Sequence, residues 1–366
     1  MMRKDTLWVM IAGAALGIAA LVLVALGNPA NMGFCIACFQ RDIVGALGLF
    51  NWNITAPIQY IRPEIIGIAL GAFAAAVIHG EFKPRGGSAP VTRFMLGVFM
   101  MLGALVFLGC PVRMVLRLAG GDLNALVAVF GFIGGIAAGV WLLRFGFALP
   151  RHKRQRRAEG LVLPALMVLL LLFLVLRPVF AEGGPIFFMT KGYPGGDGSP
   201  VGLAAGIAIS LIAGLVIGFL GQRSRLCFAG GVRDMFLMRS WHLLSGVLVI
   251  FAVVLIGNLV MGDFHLGFAD QPVAHSAHLW NFLGMAMVGL AAILLGGCPF
   301  RQLVLAGSGN TDSVLTVFGM LTGAALAHNF SLIKAATLPG KITVIAGLVI
   351  LVIIGLMNLK RPKQAR

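Results

Sequence analysis

The sequence predicts an all-α integral membrane protein of about ten spans, built from two inverted five-helix repeats with short re-entrant half-helices that carry cysteine motifs. High hydropathy, an internal near-repetition and an odd number of spans per half predict this class. Of the 366 residues, 59% are hydrophobic and 11% are charged, and the mean hydropathy is +0.99. Soluble domains carry about a quarter of their residues as charges, so that class is excluded.

Ten apolar stretches have roughly the length that crosses a bilayer, for which about 20 residues are needed. They lie near 6–27, 64–80, 94–109, 125–147, 161–180, 200–221, 243–262, 279–297, 314–330 and 341–358. We expect the first stretch to remain as a helix, because its apolar run is long and Asn28-Pro29-Ala30 is a poor signal-peptide cleavage site. The 50 glycines suit close packing of membrane helices.

The basic residues indicate an orientation. They concentrate in 151–157 and in the tail 360–366, which the positive-inside rule places in the cytoplasm together with both termini. The net charge of +16 therefore needs no nucleic-acid partner. The segment 263–278 has two aspartates, three histidines and no Lys or Arg, so we expect it on the outer side.

Two cysteine segments occur twice. Cys35, Arg41 and Asp42 return 192 positions later as Cys227, Arg233 and Asp234, and Gly109-Cys110-Pro111-Val112-Arg113 returns 188 positions later as Gly297-Cys298-Pro299-Phe300-Arg301. The halves are 1–180, which contains the basic linker 150–160, and 181–366. Because five spans is an odd number, the second half is expected to be inverted, with Cys35 and Cys110 toward the outer side and Cys227 and Cys298 toward the inner side.

The two Gly-Cys-Pro segments each predict a helix start. Proline is favoured at the first position of a helix, so Cys110 and Cys298 are expected to precede short half-helices. The positive N-terminal ends of such helices, with Arg113 or Arg301 two residues after the proline, predict a site for a small anion. Asp122 and Asn124, matched by Asn310 and Asp312 in the repeat, are expected to cap the helices that follow, because Asp and Asn are favoured N-caps.

The cysteines leave two chemistries open. Neutral thiols suit contact with the soft sulfur or selenium end of an anion, whereas covalent sulfur transfer needs thiolates of lowered pKa. A buried cysteine is most often only a small apolar residue, but the repetition favours a functional role for these. Cys35-x-x-Cys38 also suggests redox chemistry, although Gly230 replaces the second cysteine in the repeat. The alternative is therefore a membrane thiol redox or sulfur-transfer enzyme acting through Cys35 and Cys38.

Other polar residues are assigned structural roles. Arg41 with Asp42 and Arg233 with Asp234 are expected to form internal ion pairs that hold the re-entrant segments. His275 and His278 are weak indications of a metal. His328 is expected to be a satisfied polar residue, with a proton relay as the alternative. No Walker A sequence, zinc signature or grouping of nucleophile and base occurs, so we expect no catalytic residue, metal or cofactor.

The segments Gly33-Phe34-Cys35-Ile36-Ala37-Cys38-Phe39, Gly109-Cys110-Pro111-Val112-Arg113 with Ala119-Gly120-Gly121-Asp122-Leu123-Asn124, and Gly297-Cys298-Pro299 resemble the YeeE/YedE family of sulfur-compound transporters. The resemblance covers essentially the whole chain and is strongest to the YedE-like branch linked with selenium metabolism. It implies an hourglass-shaped protein of the bacterial inner membrane that imports a small sulfur or selenium species, with a cytoplasmic sulfurtransferase as a candidate partner.

The resemblance also implies roles for particular residues. It assigns a relay of hydrogen bonds from thiols to substrate sulfur to Cys35, Cys110 and Cys298, and the internal repeat adds Cys227. The doubled Cys35/Cys38 and the extra Cys227 depart from the thiosulfate-type pattern, so the substrate stays open between thiosulfate and a selenium compound.

Overall fold

The computed structural model describes residues 4–50, 60–178, 205–333 and 337–359. Within these ranges the regular structure is helical, apart from three isolated bridges and one two-residue antiparallel ladder, which joins β1 (Arg85–Gly86) to β2 (Lys153–Arg154). The predicted boundary between the halves at 180/181 and the basic tail 360–366 lie outside the described residues.

The described residues of the first half form eight helices. They are α1 (Lys4–Ala25), α2 (Ile36–Ala46), α3 (Pro63–Ile78), α4 (Pro90–Val106), α5 (Pro111–Ala119), α6 (Leu123–Arg144), α7 (Arg157–Gly160) and α8 (Val162–Leu176). Of these, α2 and α5 are short and directly follow cysteines.

The second half follows a similar order of long and short helices. They are α9 (Ile207–Ser224), α10 (Phe228–Met238), α11 (His242–Met261), α12 (His278–Leu295), α13 (Pro299–Gly307), α14 (Thr311–Asn329) and α15 (Leu338–Met357).

The prediction of a multi-pass membrane protein is confirmed. All ten apolar stretches form helices within the described residues, and seven segments are long and apolar enough to cross a membrane. These are Asp5–Ala25, Pro90–Ala119, Leu123–Arg144, Ile207–Met238, His242–Met261, His278–Gly307 and Leu338–Met357. The other three stretches are α3, α8 and α14, and their crossing of the membrane stays a prediction.

Two segments form the centre of the molecule. In an apolar stretch of 18 residues within each segment, 89% of the residues are buried in Pro90–Ala119 and 83% in His278–Gly307, against 22% in His242–Met261. The helices α4 and α12 in these segments pack against each other, with α14 beside α4 and α6 beside α12. Helices α1 and α11 form a second contact, and α3 and α9 a third. Helices from opposite halves are therefore interleaved.

Glycines permit this interleaving. A Cβ atom at Gly71 of α3 would overlap the carbonyl oxygen of Leu215, and one at Gly218 of α9 would overlap that of Ile68. Only glycine lets the two backbones approach this closely, as in the small-residue interfaces of membrane helices.

Candidate functional site

Cys35 begins the first cluster of functional side chains by capping α2. Its backbone is extended, with φ −149° and ψ 110°, and its Sγ accepts a hydrogen bond from the backbone N–H of Cys38 at 3.3 Å. The sulfur thus takes the place that a Ser, Thr or Asp oxygen usually occupies at a helix N-cap. Because it is used as a cap, the Cys35 thiol is fixed at the helix N-terminus.

Cys110 lies at the corresponding position before α5, with Pro111 as the first helical residue. Its Sγ accepts a hydrogen bond from the backbone N–H of Ile36 at 3.3 Å and lies 3.9 Å from the Sγ of Cys35. The N-termini of α2 and α5 therefore converge on one pair of thiols. Unpaired N–H groups and the helix dipoles make such a point attractive to an anion.

Arg113 and Cys38 complete this cluster. The Nη1 of Arg113 lies 3.8 Å from the Sγ of Cys38, and both groups donate to the carbonyl oxygen of Leu108. The remaining partners of the Arg113 guanidinium are also backbone carbonyls, those of Asn31, Pro272 and Val273. Arg113 is fully buried, and in the described part of the chain it forms no ion pair with a carboxylate. Its charge is left available to an anion.

The turn that orients this arginine is strained. Leu108 adopts φ 62°, in the left-handed region that a branched side chain rarely enters. The equivalent turn before Cys298 has Gly296 at φ 79°, where glycine adopts the conformation without that cost. Strain of this kind is typically held in place at functional sites, and here it aims the Leu108 carbonyl at Arg113 and Cys38.

The second cluster has the same construction. Cys227 is the N-cap of α10, with φ −152° and ψ 120°, and its Sγ accepts from the backbone N–H of Gly230 at 3.2 Å. Cys298 precedes Pro299 at the start of α13, and the two sulfurs lie 3.8 Å apart. Arg301 is partly buried and donates to the carbonyl oxygen of Gly221 at 3.3 Å.

The structure brings the predicted residues together as two groups. Cys35, Cys38, Cys110 and Arg113 form the first cluster, and Cys227, Cys298 and Arg301 form the second. Helices that begin at the two clusters touch each other, α2 with α13 and α5 with α10. All five thiols are at most 5% exposed, so the sulfur atoms of both clusters are closed to solvent in this conformation.

The arginine–aspartate neighbours pair with each other. Arg41 contacts Asp42, and Arg233 lies 2.8 Å from Asp234. Sequence reasoning missed Arg62, whose Nε lies 2.6 Å from the second oxygen of Asp42 and whose guanidinium stacks over Phe39. Arg62 has no counterpart in the internal repeat, so the repetition gave no signal for it.

Two of the four residues predicted to cap helices do so, and one buried ion pair supports the first of them. Asn124 and Asp312 are each the second residue of the helix and do not cap it. Asp122 accepts from the backbone N–H of Asn124 at the start of α6, and Asn310 accepts from that of Ser313 at the start of α14. Asp122 also pairs with the fully buried Arg117 at 2.6 Å. Because that pair is internally neutralised, Arg113 supplies the free positive charge of the first cluster.

The segment 262–277, here named the cover loop, lies over the first cluster. Its carbonyl at Val273 accepts from Arg113 at 3.2 Å, and His275 Nε2 lies 2.7 Å from the carbonyl oxygen of Val106. Its backbone also bonds to Gly120 and Gly121. Among the residues that the structure describes, no three His, Cys, Asp or Glu side chains group as a metal site, so His275 is used in a backbone contact instead.

The fold and clusters define a class: a multi-pass helical membrane protein with two buried thiol pairs, each at converging helix N-termini beside an arginine. Residues 223–357 match the family model described as Sulphur transport, and this range contains the second cluster.

Two relatives carry the printed name Thiosulfate transporter TsuA. The one from Escherichia coli (strain K12) is 28% identical over 123 residues, which is 34% of this chain and 34% of the relative. The one from Spirochaeta thermophila is 36% identical over 99 residues, covering 24% of this chain and 30% of the relative. The chain thus spans about a third of the length of these relatives.

Proposed function

We propose that this protein is a transporter that imports a small sulfur-containing anion of the thiosulfate class across the bacterial inner membrane. The observation that carries the proposal is the convergence, at each thiol pair, of two helix N-termini and an arginine that forms no ion pair within the described residues. The similarity to two thiosulfate transporters and to the sulphur-transport family supports the same class of substrate.

Electrostatics favours an anion at these points. A unit charge in a low-dielectric interior interacts several-fold more strongly than in water, so a dehydrated anion there needs compensating positive charge. Arg113 is held by backbone carbonyl oxygens and the Cys38 sulfur, with no carboxylate partner in the described ranges, and the N-terminal N–H groups of α2 and α5 add further positive potential. The second cluster offers Arg301 and the N-termini of α10 and α13.

Thiols then select the substrate among anions. A neutral S–H is a weak donor and its sulfur is polarizable, so it contacts a soft terminal sulfur without binding it tightly. Weak, repeated binding is what conduction requires, because the ion must leave each site as readily as it enters. The anion passes from Cys35 and Cys110 to Cys227 and Cys298, with Cys38 assisting at the first step.

The proposed architecture is an inverted repeat of ten spans with both termini cytoplasmic. Support comes from the way in which helices of the two halves pack against each other. The contact of α1 with α11 corresponds to that of α9 with α3, and the contact of α4 with α14 corresponds to that of α12 with α6. The shared position of the four cysteines at the starts of α2, α5, α10 and α13 also supports it. Inversion places one cluster toward each side of the membrane, with the short helices as the re-entrant elements.

The alternative, a thiol redox or sulfur-transfer enzyme acting through Cys35 and Cys38, has less support. The Cys38 thiol donates to the Leu108 carbonyl and lies beside Arg113, and the second cluster has Gly230 at the equivalent place. A sulfurtransferase in the cytoplasm fits the proposal as the consumer of the imported sulfur.

Uptake into proteoliposomes tests the proposal. Purified full-length protein should accumulate radiolabelled thiosulfate well above protein-free vesicles, and unlabelled thiosulfate should compete more strongly than sulfate, which lacks the terminal sulfur. Selenite in the same assay tests the selenium branch. Failure to take up either species in vesicles that hold folded protein would reject the proposal.

A further inference from the structure

A surface cavity of about 960 Å³ lies away from the thiol clusters, at one end of α3 and α8. Its walls come from the end of α3, the segment around β1, the segment around β2, and the start of α8. The lining residues are Phe73, Val77, Gly80, Phe82, Lys83, Pro84, Arg85, His152, Arg154, Gln155, Arg157 and Leu161.

The cavity is strongly basic. Lys83, Arg85, Arg154 and Arg157 line it, and no Asp or Glu is among the lining residues. In the described ranges none of these four cations forms an ion pair. The β1–β2 ladder places Arg85 directly opposite Arg154, and like charges across a strand pair destabilise it. An anion bound in the cavity beside Arg154 would offset this repulsion.

One wall of the cavity is apolar and open to the outside of the helix bundle. Val77 is 50% exposed and Leu161 is 40% exposed, and Ile78 beyond them is 70% exposed. A small water-soluble anion has no apolar surface to bury against such a wall. A molecule with a charged head and hydrocarbon chains satisfies both the basic and the apolar side.

The position of the cavity agrees with the depth of a lipid headgroup. The 16 residues of α3 span about 24 Å at 1.5 Å per residue, which is less than the hydrocarbon thickness of about 30 Å. The cavity follows immediately after the end of α3 and immediately before α8. For helices α3 and α8 that cross the bilayer as the sequence predicts, this position corresponds to the level where headgroups meet the hydrocarbon, on the side of the basic segment 151–157.

We propose that this cavity binds an anionic phospholipid, with the phosphate between Lys83, Arg154 and Arg157 and the acyl chains along the exposed faces of α3 and α8. Basic pockets between membrane helices on the cytoplasmic side are suited to such headgroups. The bound lipid steadies the β1–β2 ladder, which contacts the start of α14 through Arg85 and Gly309. This inference rests on the cavity and does not depend on the transported substrate.

Native mass spectrometry of the purified, delipidated full-length protein tests the inference, with dioleoyl phosphatidylglycerol and dioleoyl phosphatidylcholine as probes. The test variant is Lys83→Gln/Arg154→Gln/Arg157→Gln. The matched control is Arg151→Gln/Lys153→Gln/Arg156→Gln, which removes three charges from the same basic segment but none from the cavity lining. We expect phosphatidylglycerol to bind the test variant at least tenfold more weakly than wild type, and the control variant within threefold.

Three results would overturn the inference: equal weakening in both variants, equal affinity of wild type for phosphatidylcholine, or equal affinity for glycerol 3-phosphate. The last would indicate a site for a soluble anion. If the test variant does not fold, Arg157→Gln alone must weaken phosphatidylglycerol binding threefold or more, measured against Arg156→Gln. Because none of these readouts involves uptake, their failure is distinguishable from failure of the transport proposal.

Discussion

Cys35 and Cys227 have nearly the same conformation at the starts of α2 and α10. Their φ angles are −149° and −152°, and each sulfur accepts a hydrogen bond from the backbone N–H three residues later. Each also lies within 3.9 Å of the sulfur of a cysteine that precedes a helix-starting proline, Cys110 or Cys298. Because the two thiol pairs are built in the same way, we expect both to bind the substrate in the same way along a single transport path.

Loss of either Cys-Pro thiol should therefore slow uptake. Cys110→Ala and Cys298→Ala each remove an S–H donor. Because S–H is a weak donor, its bond to an anion should be worth the lower end of the range of about 1.5–3 kcal/mol that is typical of hydrogen bonds to charged groups, so thiosulfate uptake should fall about tenfold. Cys110→Ser and Cys298→Ser keep a donor and should retain part of the rate. Proteoliposome uptake, with size-exclusion profiles to verify folding, measures both. Wild-type rates in the two alanine variants would rule out the relay.

Substitutions of Arg301 and Arg113 should show how far each charge serves anion uptake and how far it serves stability. Arg301→Gln removes a cation with one observed carbonyl partner, so uptake should fall at least tenfold while the melting temperature changes little. Arg113→Gln leaves buried carbonyls without their donor, so it should lower both uptake and stability. Arg301→Lys keeps the charge and should rescue uptake in part.

The control for charge is Arg151→Gln, an exposed residue outside both clusters, which should transport at the wild-type rate. If Arg301→Gln transports as well as Arg151→Gln does, the second arginine is structural and the substrate is not held by its charge.

Sequence preferences at helix starts, which involve only a few adjacent residues, predicted part of this site. Proline at the first helical position placed the starts of α5 and α13 after Cys110 and Cys298, and the preference of Asp and Asn for N-caps placed those of α6 and α14. These features depend on a few adjacent residues, so the sequence alone determines them.

The pairing of the thiols depends on tertiary packing. Cys35 meets Cys110 only because α2 and α5 converge, and Arg113 meets the Val273 carbonyl only because the cover loop of the other half folds over it. Cys35 as a helix cap was also unexpected, since sulfur is not a usual capping atom. No repeat or local pattern encodes such contacts.

Replacing Gly296 by any other residue should lower the stability of the protein. A Cβ there meets no other atom within 4 Å, so Gly296→Ala isolates the strain of φ 79°, which is roughly 1–2 kcal/mol for an L-residue. The melting temperature should fall by about 2–4 °C. Gly267→Ala, equally free of steric contact, is the control and should melt as the wild type does. Equal melting of both variants would show that the turn is not strained.

Opposite sidedness of the clusters should appear in thiol labelling. With a membrane-impermeant maleimide, Cys35, Cys38 or Cys110 should react in intact cells, and Cys227 and Cys298 only in inside-out vesicles. Because all five thiols are at most 5% exposed, labelling should be slow, and thiosulfate should change its rate. Single-cysteine variants assign each signal by mass spectrometry. Faster reaction of Cys298 from the outside would refute the inverted topology.

The attachment of the cover loop should weaken in acid. His275 Nε2 is close enough to donate to the Val106 carbonyl, and its Nδ1 accepts from the backbone N–H of Ala277 at 3.2 Å, so the contacts require the neutral ring. Burial, aided by the charge of Arg117, lowers the pKa of His275, and this outweighs the effect of the Val106 carbonyl. The unfolded histidine has a pKa of about 6.5. Stability therefore stays constant above that pH and falls as the pH drops through the lowered pKa of the folded state.

Hydrogen exchange of the cover loop, corrected for the intrinsic dependence of exchange on pH, measures this effect. Exchange in 262–277 should accelerate severalfold between pH 7.5 and pH 5. His275→Gln removes the titrating ring and should flatten the dependence. His278→Gln, whose ring contacts Phe268 instead of Val106, should preserve it. If the pH dependence of exchange survives in His275→Gln and disappears in His278→Gln, His278 is the titrating group, and the proposed attachment through His275 is wrong.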